Sequence, residues 1–96
     1  MNDIAQKVLS LDVVLRRLQR GPLDRATVAT IIAEQLSDIE FDSLTEKQRT
    51  AVALRRLGLT SLQCADALDL SSGNLIDQLF RAAKNRLPNL EGERRA

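Results

Sequence analysis

The side chains best suited to covalent or metal chemistry are almost missing: the 96 residues include no histidine, tryptophan or tyrosine, and only one cysteine, Cys64. That removes the commonest general base, the commonest metal ligands and most aromatic platforms for stacking bases. No Gly-rich phosphate loop, Gly-x-Ser-x-Gly elbow or paired-cysteine motif occurs. Asp, Glu, Lys and Ser remain, but no spacing pairs them for acid–base or nucleophilic work. The sequence therefore reads as a binding protein and not an enzyme, with no metal and no cofactor expected. A single cysteine permits no intramolecular disulfide and suits a reducing compartment. Cys64 reads as a buried packing residue, with redox chemistry as the alternative.

Charge is the remaining currency of binding. The formal net charge is +1, but it is divided unevenly. Residues 1–45 carry five basic and seven acidic side chains, whereas residues 46–88 carry seven basic and four acidic. A basic C-terminal half suits an anionic partner without requiring one. No apolar run is long enough to span a bilayer, and Met1-Asn2-Asp3-Ile4 lacks the basic opening of a signal peptide. A soluble, cytoplasmic protein with no membrane partner is the expectation.

The elements that must position these charges follow from apolar spacing, and they predict an all-α fold of about five helices. Asn2 or Asp3 can cap a first helix to about Arg20, with Ile4, Val8, Leu11, Leu15 and Leu18 forming a seam and Val14 beside it. That seam faces either a core or a second subunit. Gly21-Pro22 ends it. Asp24 caps a second helix to about Ser37, with Val28, Ile31, Ile32, Leu36 and Ile39 on its buried side. The short link predicts an antiparallel hairpin over residues 1–43. Asp38-Ile39-Glu40-Phe41-Asp42 reads as a connector whose Ile39 and Phe41 pack down while the carboxylates stay in water.

Residues 44–88 hold three more predicted helices, followed by a flexible tail at 89–96. The third starts at Ser43 or Thr45, each with a capping-box partner, Glu46 or Gln48. It buries Ala51, Val52, Leu54 and Leu57, displays Lys47, Arg49, Arg55 and Arg56, and ends at Gly58. Thr60, with Gln63, caps a fourth carrying Cys64, Ala65 and Leu68 inward. Ser71 or Ser72 caps a fifth that runs to about Leu87, where Pro88 stops it. Two helices around a tight turn, with small Ala65 where they cross, describe a helix-turn-helix.

Leu44-Thr45-Glu46-Lys47-Gln48-Arg49, Ala53-Leu54-Arg55-Arg56-Leu57, Gly58-Leu59-Thr60, Ala65, Leu68, Ser71 and Arg81-Ala82 together resemble bacterial sigma factor region 4. The spacing from Leu44-Thr45 to Gly58-Leu59 is also similar to the LuxR-type DNA-binding domain. The resemblance covers residues 44–87 and implies a domain that binds promoter DNA through its last helix and contacts RNA polymerase. Asp69 stands where such turns usually hold glycine. By the resemblance, the major groove would face Ser72, Gly73, Ile76, Asp77 and Phe80, where relatives carry polar or basic groups.

At about 100° per residue, Leu75, Leu79 and Ala82 form one apolar stripe of the last helix, and Ile76, Phe80, Ala83 and Leu87 form another. The first is expected to serve the domain's own core. The second needs a cover, either within the chain or from a partner. If the chain covers it, a polar face of Asn74, Asp77, Gln78, Arg81, Lys84 and Asn85 remains for DNA. Arg81 and Lys84 would then hold phosphates, Asn74 and Gln78 could pair with adenine, Asp77 could accept from a cytosine amine, and Ser72 would lie at the groove-facing N-terminus. The leading expectation is a dimeric DNA-binding transcriptional regulator acting on promoter or operator DNA. The alternative is a protein-interaction module, an anti-activator or sigma-domain mimic. It would bind RNA polymerase or another transcription factor through Ile76, Phe80, Ala83 and Leu87.

Overall fold

The computed structural model describes residues 9–90 and is all-helical, with six helices and no strand among the described residues. These are α1 (Leu11–Leu18), α2 (Arg25–Gln35), α3 (Asp38–Ser43), α4 (Glu46–Leu57), α5 (Ser61–Ala67) and α6 (Gly73–Arg86). No helix among the described residues is long and apolar enough to cross a membrane.

Among the described residues, the first helix starts at Leu11. Ser10 is extended and its hydroxyl accepts from the Val13 amide, so α1 starts at Leu11 instead of running through from Asn2 or Asp3. A serine there satisfies an amide that would otherwise lack a partner, which favours a helix start over a helix interior. The caps Asn2 and Asp3 and the seam residues Ile4 and Val8 lie outside the described residues. Of the rest, Val14 is fully buried while Leu11, Leu15 and Leu18 are half-buried.

The second helix stops at Gln35, two residues short of expectation, because Ser37 caps the next one. Ser37 and Glu40 form a reciprocal capping box, with bonds of 2.9 and 3.2 Å. What reads as a connector is therefore a helix; Asp38 and Asp42 stay exposed as expected, but its apolar residues and Glu40 lie opposite to expectation. Ile39 is 72% exposed and Phe41 is exposed, whereas Glu40 turns inward. Its carboxylate meets the Arg56 guanidinium through two contacts of 2.7 Å. The Phe41 ring lies under Arg49, whose guanidinium carbon is 3.9 Å from the ring centroid and whose Nε donates to the Phe41 carbonyl.

The helix at the centre is α4, which packs against α2, α5 and α6. Ala51, Val52, Ala53 and Leu54 are all fully buried, so it presents apolar surface on more than one side. That explains why α2 lies along α4 instead of pairing closely with α1 as a hairpin: α4 offers the larger apolar face. The α1–α2 pair is linked by a 2.8 Å bond from Arg17 to Thr27. One core unites Leu9, Val14 and Ile31 from the first half with Leu54, Leu59, Cys64 and Ile76 from the second. The Leu23 amide also donates to the Ala67 carbonyl.

Of the two starts the sequence offers for α4, Thr45 with Gln48 is used and Ser43 instead ends α3, and the Thr60 box with Gln63 opens α5 as expected. Gly58 closes α4 at φ +122°, and a Cβ there would stand 2.9 Å from Leu11 Cδ2. Glycine is needed for the left-handed turn, whereas the Leu11 methyl, at the end of a flexible side chain, could give way. Three arginines expected on display are instead half-buried and tied to backbone carbonyls: Arg49 to Phe41, Arg55 to Leu59 and Arg56 to Gln35. Lys47 is exposed.

Candidate nucleic-acid interface

The α5–α6 unit is set by its turn. Leu68 ends α5, and Asp69 adopts φ +58°, the left-handed conformation that a short polar side chain tolerates better than most. Ser72 then caps α6, its hydroxyl oxygen accepting from the Asn74 amide at 3.0 Å. Ala65 is buried, as a close crossing of the two helices requires. A Cβ on Gly73 would lie 3.3 Å from both the Leu62 nitrogen and the Ser61 carbonyl carbon, so α6 meets the first residues of α5 at backbone distance.

The two apolar stripes of α6 have distinct fates. Ile76 is fully buried in the main core. Ala83 is fully buried in a second cluster with Leu44, Val52 and Leu90, against which Phe80 and Leu87 pack half-buried. The chain therefore covers the stripe whose cover the sequence left open. Ile76 and Ala83 cannot meet a partner in this fold, and Phe80 and Leu87 are largely spent on internal packing. The other stripe, expected to serve the core, is the more open one: Leu79 is half-buried, but Leu75 is 40% exposed. Leu75 and Leu79 line a hollow of about 510 Å³ with Leu68 and Leu70.

With Ile76 and Ala83 pointing inward, the opposite side of α6 is polar. Asn74, Asp77, Gln78, Arg81, Lys84 and Asn85 are all exposed, while Ser72 is half-buried in its capping role. The structure thus brings five of the six residues expected at a DNA face onto one open surface. Neither Arg81 nor Lys84 makes a hydrogen bond or ion pair among the described residues, so both cations face solvent. Arg86 instead donates to the Ser43 carbonyl. Asp77 accepts from the Ser61 hydroxyl at 2.5 Å.

Cys64 is fully buried, and loss of solvent pushes its thiol up to about 12. A thiol held protonated is a poor nucleophile, which fits packing and not redox chemistry. Sequence reasoning missed Leu62, 65% exposed near the start of α5. No spacing rule flags it, because a seven-residue helix is too short to define a buried face by periodicity. Leu75 was legible in principle, since it sits about 100° from Ile76, at the flank of the arc that Ile76 and Ala83 centre. No family model, curated protein or solved structure matches the chain.

Proposed function

We propose that this chain is a transcriptional regulator that binds promoter or operator DNA by laying the polar face of α6 in the major groove. The observation that carries the reading is the division of α6: Ile76 and Ala83 are buried within the chain with Phe80 and Leu87 packed half-buried beside them, and the polar side with Arg81 and Lys84 is open. A helix held in place by its buried Ile76 and Ala83 is free to offer the opposite side to a ligand. Arg81 and Lys84 supply phosphate contacts, while Asn74 and Gln78 can each present a donor and an acceptor to adenine. Ser72, committed to its cap, contributes the N-terminal turn and not a base contact. One such helix makes few contacts, so the reading includes a homodimer on two half-sites, acting in the cytoplasm. The sequence resemblance to sigma region 4 supports the reading only by analogy, and the exposed polar face supports it physically. Titration of labelled duplex DNA at about 50 and 200 mM salt tests it. Binding that weakens steeply with salt is expected, and no binding at the lower salt refutes the reading.

A second reading, docking to RNA polymerase or another transcription factor, draws on a separate observation. Leu62 and Leu75 are exposed, and Leu75 opens on a hollow lined by four leucines and by Glu46, Lys47, Thr50 and Gln78. In that reading the contact surface is Leu75 with Leu79, and not Ile76 with Ala83. Leu75→Gln, an exposed and uncharged change that spares the core, would weaken a partner complex while leaving DNA binding intact.

A further inference from the structure

The acid on the α6 face is the feature that a DNA-binding reading leaves unexplained. Asp77, Arg81 and Lys84 are spaced four and three apart and so share one stripe, all exposed. The spacing from Asp77 to Arg81 permits an ion pair along the helix. None forms: the carboxylate turns away to accept from Ser61, on the neighbouring helix, at 2.5 Å. Its charge is therefore not cancelled by the cation one turn along. The contact between α5 and α6 does not need that charge either. Gly73 already brings the backbones together, and a neutral carboxamide could accept the same hydrogen bond from Ser61.

We propose that Asp77 is a specificity-determining residue, held by Ser61 at the edge of the α6 face so that its charge opposes sequence-independent contact with the DNA backbone. This rests on the DNA-binding reading. Phosphates reached by Arg81 or Lys84 come well within a Debye length, about 8–10 Å at ordinary salt, of the Asp77 carboxylate. Every duplex meets that repulsion. Only a site that places a cytosine amino group before the second carboxylate oxygen offsets it with a charge-assisted hydrogen bond. The acid thus weakens binding everywhere and restores it at selected sequences, which widens the gap between them.

The test uses the full chain, Asp77→Asn and Asp77→Ala, with a labelled random-sequence duplex of about 30 base pairs at about 50 mM salt. Asn preserves the acceptor for Ser61, and Ala is safe for the helix, so at least one neutral variant keeps the fold by circular dichroism. Both are expected to bind the random duplex about three- to tenfold tighter than the wild type. They should also discriminate less between it and a duplex enriched from a random pool by the wild type. If the wild type binds and the folded neutral variants bind the random duplex no tighter, Asp77 has no such role and the inference alone falls. If the wild type binds no duplex even at low salt, the DNA-binding reading fails and takes this inference with it.

Discussion

Replacing Glu40 by Gln should destabilise the protein by an amount that depends on pH in a predictable direction. Glu40 and Arg56 meet through two contacts of 2.7 Å, with their side chains 22% and 11% exposed respectively. The guanidinium beside it holds the Glu40 carboxyl at about 2, well below the usual 4.5. At about 1.4 kcal/mol per tenfold, that depression is worth at most roughly 3–4 kcal/mol, and screening at a partly open site reduces it to roughly 2 kcal/mol. Because the folded value is lowered, the contribution is fully present above the unfolded value of 4.5 and is lost as pH falls through about 2. Gln keeps the shape and the oxygen that accepts from the Ser37 amide, so the capping box survives and the charge is what changes. Urea unfolding followed by helical circular dichroism, at steps from pH 7 to pH 3, measures the difference. We expect a deficit of about 2 kcal/mol at pH 7 that narrows once the pH drops below 4.5. A deficit that stays constant with pH, or one below about 0.5 kcal/mol at pH 7, would refute the assignment of this pair as the anchor of α3 on α4.

Other consequences follow from burial and backbone geometry. Ile76→Ala, at a fully buried position, should cost about 2–5 kcal/mol of stability by denaturant melts; a loss under about 1 kcal/mol would mean that Ile76 is not core. Gly58→Ala should lower the melting temperature, because φ +122° strains any residue with a Cβ and the Leu11 methyl would also have to move, and an unchanged or raised value would contradict that geometry. The Cys64 thiol should resist a maleimide at neutral pH in the native chain and react promptly in urea, whereas fast native labelling would show it to be accessible.

Much of the second half was legible because its signals are local and redundant. Thr45 with Gln48 and Thr60 with Gln63 mark helix starts by paired side chains, and Gly58 and Pro88 mark ends by backbone chemistry. The first half was read less well, for identifiable reasons. Ser37 and Glu40 form the same kind of box, but the acidic run around them suggested a wet connector and hid a six-residue helix. Its sidedness depends on Arg56, a residue 16 positions away, which no local rule supplies. The helix start at Ser10 was hidden by an apolar seam that continues in register across it in the sequence. At the candidate site, the helical projection identified both stripes of α6. Which of them lies inward was set by Leu44, Val52 and Leu90, contacts that exist only in the folded chain.

The most direct test of the central claim is the salt dependence of duplex binding by the wild type and by the double variant Arg81→Ala with Lys84→Ala. Both side chains are exposed and tie nothing together, so removing them should leave the fold intact. If α6 lies in the groove with these two cations on phosphates, the slope of log K against log salt should become shallower by about 2, with affinity reduced at low salt. An unchanged slope and affinity would contradict the account and move any DNA contact elsewhere on the molecule.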